Sequence, residues 1–379
     1  MLPSEINRIR TVLASNPGPL SETAITQTVH EELPLLSHID VLETVDEIIT
    51  DIYGYGPLNE LLTLDGVTDV VVNGNEHIWF DRGNGFELWD GIGLNEQEVR
   101  ELAVRLAERN QRRLDDVQPF ADVRLKDGIR MHAVIPPINP KGTCISFRIP
   151  NQTLLGLKEL CELSMFNDQA LQILKQIIDA GISFLICGGT GAGKTTLLSA
   201  MLRHVAVSQR ILIIEDLFEL NVGHPHVVNL QVRHPNVEGL GGIPMQSLVR
   251  QALRMRPDRL VIGEVRGVEV IDLFTALNTG HQGGCATVHA NSAFDVPARI
   301  EALGLLANIP QTAIHHLFAS AISIIIEVKS LPWVGRKIVG FHSVELEHER
   351  VVVKPIINFL NNEIQHNEFE KFMKLISSE

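Results

Sequence analysis

The sequence predicts an α/β protein of two domains, a small one built on an antiparallel sheet and a larger one on a mostly parallel sheet. Three observations predict it. From Asp168 onward, short apolar runs alternate with helical stretches, the signature of parallel strands joined by crossover helices. One of those runs, Ser183-Phe184-Leu185-Ile186-Cys187, passes through a glycine-rich turn straight into a good helix former, Thr196-Leu197-Leu198-Ser199-Ala200-Met201-Leu202. Between Val67 and Ile149 the apolar runs instead face each other across short polar turns, as hairpins do. At 379 residues the chain has room for two domains and a small additional piece, and an apolar content of 45% is ordinary for globular protein.

Composition narrows the function before any motif is read. The net charge of −14 argues against broad nonspecific binding of nucleic acid, which needs a basic footprint, although a local basic channel is compatible with it. The four cysteines, Cys144, Cys161, Cys187 and Cys285, lie far apart, so neither a zinc ribbon nor a disulfide framework is expected. Free thiols in a reducing compartment are the simplest account. Met1 to Arg8 carries early charge and no apolar core, unlike a secretory signal, and no run approaches the ~18 apolar residues of a spanning helix. The expectation is a soluble, cytoplasmic protein whose membrane role, if any, goes through a partner.

In chain order, residues 1–50 read as a helical segment broken by Asn16-Pro17-Gly18-Pro19 and Pro34, either an interaction appendage or a cap on the next domain. Residues 51–150 read as the small α/β domain. Val67 to Val72 is a strand, Asn73-Gly74-Asn75 a hairpin turn, and His77 to Phe80 the return strand. Leu94 to Asn110 is a helix: Asn95 and Glu98 have capping-box spacing, Leu94 and Val99 form a hydrophobic staple, and Val99, Leu102, Ala103 and Leu106 line one face. Strands at 121–125 and 129–135 turn about Lys126-Asp127-Gly128, and Cys144 to Ile149 is a last short strand. Residues 151–160 read as a linker, and residues 161–379 as the larger domain with a C-terminal extension. There the amphipathic helix Asp168 to Ala180 leads to strands at 183–187, 211–215, 259–263, 284–288 and 322–328, then to tail strands near 337–343 and 349–354 and a polar helix from about 364.

The chemistry centres on Gly188-Gly189-Thr190-Gly191-Ala192-Gly193-Lys194-Thr195, which fits G-x-x-x-x-G-K-[ST] between a strand and a helix. Glycines let the backbone wrap phosphates with its N–H groups, and the helix N-terminus adds its positive end. Lys194 is expected on the β- and γ-phosphates, the Thr195 hydroxyl on Mg²⁺, and Thr196 at the start of the helix gripping the nucleotide, ATP or ADP. Two strands end in acids where ligands of parallel sheets sit: Ile211 to Ile214 runs into Glu215-Asp216, followed by Glu219, and Arg259 to Gly263 runs into Glu264. Glu264 is the best candidate for polarising the attacking water or holding the magnesium water shell, and Glu215 for reaching magnesium or a water beside the γ-phosphate, against the plainer reading of the first pair as helix-capping or solvated acids. His281 and His289 flank the 284–288 strand at a spacing foreign to a helical zinc motif, and suit a γ-phosphate sensor or a structural role. Arg130 and Arg148, on strands of the small domain, are either surface charges or arginine fingers.

Together these stretches resemble the secretion and pilus-assembly ATPase superfamily of bacteria and archaea, from about Ile52 to Val328. Four boxes carry the resemblance in order: 188–195 as Walker A, Ile213 to Glu219 as the aspartate box, Arg256 to Gly267 as an atypical Walker B, and Thr279 to Asn291 as the histidine box. Asp69 to Gly74, Arg130 to Pro137 and Leu253 to Asp258 are most similar to the Flp/Tad pilus assembly ATPases (CpaF/TadA-like), with conjugation-type secretion ATPases as near neighbours. The resemblance implies a RecA-like ATPase domain preceded by a PAS-like domain, a homohexamer, ATP hydrolysis with Mg²⁺, and arginines of the N-terminal domain that reach the nucleotide. Arg130 and Arg148 match those positions, with His132 where an Asn is common. It further implies work on an inner-membrane platform protein from the inner face of the cytoplasmic membrane, with no direct nucleic-acid contact. A RecA-like nucleic-acid motor and a nucleotide-gated scaffold are the competing readings.

Overall fold

The computed structural model describes residues 22–34, 54–74, 77–83, 85–91, 93–125, 128–150, 154–235, 240–281, 283–361 and 363–377, with single positions 9, 12, 41, 44, 45 and 48. The predicted breaker Asn16 to Pro19, most of the 1–50 segment, Asn75 and Lys126-Asp127 lie outside them. The chain divides into two compact units, Met1–Asn151 and Gln152–Glu379.

In the first unit, helix α1 (Glu22–Glu32) belongs to a small cluster of its own, with Ile9, Ile25, Val29, Val41, Val45 and Ile48 buried together. A short helix α2 (Asn59–Thr63) comes next, then an antiparallel sheet of β1 (Asp69–Asn73), β2 (Ile78–Asp81), β3 (Phe86–Leu88), β4 (Phe120–Arg124), β5 (Arg130–Val134) and β6 (Cys144–Arg148), in the order β3-β2-β1-β6-β5-β4. Helix α3 (Glu96–Arg109) packs on the apolar face through Val99, Leu102, Ala103 and Leu106. Its capping box forms as the spacing predicts: Glu98 N donates to Asn95 Oδ1 at 3.1 Å, and Asn95 N donates to Glu98 Oε2 at 2.9 Å, a cap worth about 1 kcal/mol. Strand β3 escaped the sequence reading because it is three residues long and exposed throughout, so it has no alternation.

The second unit is a nine-stranded sheet with helices on both faces. Its strands are β7 (Phe184–Gly188), β8 (Ile211–Glu215), β9 (Val227–Gln231), β10 (Arg259–Val265), β11 (Cys285–His289), β12 (Ile324–Leu331), β13 (Gly335–Glu347), β14 (Arg350–Asn358) and β15 (Glu363–Ile364). The order is β15-β14-β13-β12-β7-β11-β10-β8-β9, parallel from β12 to β9 and antiparallel from β12 to β15. Helices α4 (Leu157–Glu162), α5 (Asp168–Asp179), α6 (Lys194–Arg203) and α11 (His366–Ser377) cover the face that carries Phe184 and Ile186. Helices α7 (Met245–Ala252), α8 (Glu269–Leu277), α9 (Val296–Leu306) and α10 (Gln311–Ala321) cover the face that carries Leu185 and Cys187. Coverage on both faces explains why β7, β8 and most of β10 read as unbroken apolar runs. Strand β9 was missed for the opposite reason: it is a half-exposed edge strand. The predicted strand at 322–328 starts later, at Ile324, because α10 runs on to Ala321 and Ile322 serves as its C-cap.

Candidate functional site

The parallel strands β7, β11, β10 and β8 all end at one edge of the sheet, and the chemistry-bearing residues end there with them. The glycine-rich loop leaves β7 and turns into α6 through Gly193, which sits at φ +94°, a conformation that disfavours any side chain. The loop's last Gly and the first two helical residues, Lys194 and Thr195, therefore present consecutive backbone N–H groups at a helix N-terminus, an arrangement suited to an anion. Gly189, Thr190 and Gly191 are exposed, while Ala192 and Lys194 are buried.

Lys194 folds back into this loop. Its ammonium donates to Gly188 O at 2.9 Å and Gly189 O at 2.8 Å, and lies 3.3 Å from His289 Nδ1 at the end of β11. His289 Nε2 in turn lies 3.0 Å from Glu264 Oε1, and the other oxygen of Glu264 meets Arg266 Nη2 at 2.6 Å. The result is a four-member chain across three strand ends: Lys194, His289, Glu264, Arg266. Burial pulls the Lys194 pKa down, while the Glu264 and Glu219 carboxylates work against that. Burial also lowers His289, with Lys194 adding to the effect and Glu264 opposing it. A neutral imidazole that accepts at Nδ1 from Lys194 and donates from Nε2 to Glu264 satisfies both contacts. Arg266 is held in its charged form chiefly by its hydrogen bond to Glu264.

The acids of β8 divide their labour. Glu215 is only 4% exposed, and its Oε1 accepts from the backbone N–H groups of Glu219 and Leu220, each at 3.0 Å. It braces the loop that carries Asp216 and Glu219 instead of facing solvent. Gly263 makes room for it: a Cβ there would lie 2.7 Å from Glu215 Cγ. The exposed Glu219 stands in the field of both Lys194 and Arg266, and Asp216 pairs with His234 at 3.2 Å. Glu219 and Arg266 carry no role in the sequence reading. The signal for Arg266 was its spacing, two residues past Glu264 and just beyond the end of β10 at Val265, which in extended backbone puts both on the same side.

The structure does not bring His281 to this cluster. It precedes β11 at the other edge of the sheet, about 13 Å of strand away from His289, and its Nδ1 sits 3.3 Å from Ala276 O at the C-terminal end of α8. The γ-phosphate role expected of both histidines is therefore corrected for His281: β11 carries His289 to the phosphate-loop edge and leaves His281 at the other. Arg130 and Arg148 are neighbours on the first unit's sheet. Arg124, Arg130 and Arg148 are consecutive register partners, with Asp69 beyond Arg148 and Asp81 beyond Asp69, on the face opposite the core. Three cations side by side across strands repel one another unless anions offset them.

A RecA-like α/β sheet with a phosphate loop, a catalytic-type carboxylate and a linking histidine at its C-terminal edge defines a nucleotide-hydrolysing P-loop protein. Comparison with known proteins carries this further. Residues 52–332 match the type II/IV secretion system protein family, and the chain belongs to it. It is a member of the secretion and pilus-assembly ATPase superfamily and an ATP hydrolase. A putative conjugal transfer protein of Mycobacterium tuberculosis is 46% identical over 300 residues, covering 78% of this chain and 85% of the relative. The type IV secretion system protein VirB11 of Bartonella quintana is 26% identical over 328 residues, covering 76% and 90%. Among solved structures, the pilus retraction motor PilT with bound ADP shares the fold, with a TM-score of 0.55 at 20% identity, covering 82% of this chain and 85% of that one. Among the described residues no helix is long and apolar enough to cross a membrane.

Proposed function

We propose that this protein is a cytoplasmic, Mg²⁺-dependent motor ATPase that works as a homohexamer. In this reading it drives assembly of a Flp/Tad-type pilus by acting on an inner-membrane platform protein. The observation that carries the enzymatic part is the contact chain from Lys194 through His289 to Glu264. It links a phosphate-binding cation to a carboxylate suited to orient water, through an imidazole able to register the state of either. ATP binding at the loop gives the Lys194 ammonium a stronger partner than the Gly188 and Gly189 carbonyls, since hydrogen bonds between charged groups are the strong ones. His289 then loses a donor at Nδ1, which biases its contact with Glu264. Glu264 accepts the proton of the attacking water, and Arg266 holds its carboxylate in place. The Thr195 hydroxyl and the Glu264 and Glu219 carboxylates are oxygen donors of the kind Mg²⁺ takes, and would hold the ion or its waters. That ion would offset the charge of the phosphates. Glu215 supports the site by fixing the loop of Glu219. We assign Arg130 and Arg148 to charge neutralisation during turnover, on the strength of their place in the arginine row.

The test is direct. Lys194→Ala should abolish ATP binding in calorimetry and turnover in a phosphate-release assay, without lowering thermal stability. Full turnover in that variant would sink the assignment, and full turnover in both Arg130→Ala and Arg148→Ala would sink the finger roles. A second reading, an ATPase of a conjugation-type type IV secretion system, is favoured by the name of the M. tuberculosis relative. Cross-linking in the native cell separates the two, since one predicts pilus platform proteins as partners and the other predicts conjugation-channel proteins.

A further inference from the structure

We infer that Arg336, carried on the β12–β13 hairpin, forms the nucleoside side of the ATP site and packs its guanidinium on the base. The inference rests on the nucleotide reading of the phosphate loop and concerns the half of the ligand that this reading leaves without a partner. Three observations lead to it.

The first is proximity. A Cβ built on Gly193 would lie 3.4 Å from Arg336 Cδ and 3.8 Å from Arg336 Cβ, with Met165 Cε at 3.2 Å. The stem of Arg336 therefore lies directly against the residue that opens the phosphate-gripping helix. The second is anchoring. Strand β13 is fixed to the loop between α4 and α5: Ile338 N donates to Met165 O at 3.0 Å, and Lys337 Nζ donates to Ser164 O. The hairpin is thus held beside the phosphate loop by bonds on both residues that come after Arg336. The third is that the Arg336 head is uncommitted. Among the described residues no hydrogen bond or ion pair engages its guanidinium, and the side chain is exposed.

Sheet order decides which end of the nucleotide this residue faces. Strand β7 lies between β12 and β11. Lys194, His289 and Glu264, the groups suited to the γ-phosphate end, gather on the β11 and β10 side. Arg336 reaches Gly193 from the β12 and β13 side, the opposite flank of the loop. A triphosphate lying along the loop with its γ end at Glu264 sends its ribose and base toward that second flank. A planar guanidinium stacks on an aromatic face, with its N–H groups pointing outward to solvent, and a purine base presents such a face where a phosphate does not. The sequence reading missed this residue because it sits past the last nucleotide box, where the resemblance fades.

The experiment measures binding of ATP, ADP and inorganic tripolyphosphate by calorimetry to the full chain carrying Glu264→Gln, with and without Arg336→Ala. The expected result is an affinity for ATP and ADP weakened about tenfold, with tripolyphosphate unchanged. Unchanged ATP affinity would overturn the inference, and so would an equal loss for ATP and tripolyphosphate, which would mean a phosphate contact or a damaged loop. Arg336→Gln, which keeps the stem against Gly193, and an unshifted melting temperature in both variants guard against misfolding. Failure of the Glu264→Gln chain with native Arg336 to bind any of the three ligands would overturn the nucleotide reading first and this inference with it, a result distinct from the other two.

Discussion

The two edges of the parallel sheet make opposite use of the same kinds of side chain. At the edge where the strands begin, Arg259 is 3% exposed and spends its guanidinium on fixed partners: Ile178 O at 2.7 Å, Gly283 O at 3.4 Å and Gln209 Oε1 at 2.8 Å. Next to it, Ser183 Oγ accepts from Gly283 N at 3.1 Å, and His281 rests against Ala276 O. These polar atoms finish a backbone that has nowhere else to bond. At the edge where the strands end, His289, Glu264 and Arg266 meet through side chains that remain partly open to solvent, and the buried Lys194 ammonium is shared between His289 and the Gly188 and Gly189 carbonyls of the phosphate loop. Partners at the mouth of an exposed loop can be exchanged for a ligand, whereas the carbonyls that hold Arg259 in the core cannot. Residue type does not distinguish structure from function here; exchangeability of partners does.

The largest expected effects test this division at its extremes. Arg259→Ala should destabilise the protein by roughly 3 kcal/mol or more, since it removes a buried charged donor from three acceptors. Urea unfolding would read this, and the surviving folded fraction should still bind ATP. Lys194→Ala should do the reverse, with binding lost and the unfolding midpoint unchanged. A large stability loss in both would erase the distinction.

Glu327 sharpens the comparison, because it lies near the functional edge yet behaves like the opposite one. It is 5% exposed and held by Lys329 at 2.9 Å and by His342 at 3.1 Å. Burial acts to raise its pKa, but the contacts with His342 and Lys329 outweigh burial and bring it down from 4.5 to about 2. A carboxylate whose pKa is lower in the folded state contributes stability above its unfolded pKa and loses it as pH falls toward the folded one. Stability on the order of 3 kcal/mol should therefore disappear between pH 4.5 and about 2, and Glu327→Gln should flatten that limb. An acid limb identical in the variant would contradict the pairing.

Smaller effects are expected at the histidines. His289 works as a neutral imidazole with a lowered pKa, so turnover should fall only as pH drops below its ordinary value near 6.5. His289→Asn, which can bond but not titrate, should lose that acid limb while keeping part of the rate. His281→Ala should change turnover by less than about twofold, because its ring serves the end of α8. A loss as large as that of His289→Asn would show that a second chain brings His281 to a nucleotide.

Much of this was legible in the sequence for identifiable reasons. The phosphate loop and the acid-ended strands were readable because double coverage by helices leaves β7, β8 and β10 no alternation to confuse. The capping box of α3 was readable because it is local, spanning the four residues from Asn95 to Glu98. What depended on distance in space was not. The sequence places Glu215 and Glu264 at strand ends and prefers Glu264 for the water, but it does not show that the backbone turn after β8 takes Glu215 while Glu264 keeps side-chain partners. It offers His281 and His289 alike as γ-phosphate sensors, and β11 brings only His289 to Lys194. Arg336 becomes visible only when β13 has folded back beside β12 and reached the phosphate loop.

The most direct test of the account is ATP turnover of the purified chain beside its Glu264→Gln variant, with mass in solution and ATP binding measured on the same samples. The account predicts magnesium-dependent turnover from a hexamer and a loss of roughly 10²- to 10⁴-fold in the variant, which assembles and binds ATP as before. Turnover in the variant at the parent rate would contradict it, because the carboxylate at the end of the Lys194–His289 chain would then not be the group that handles the water.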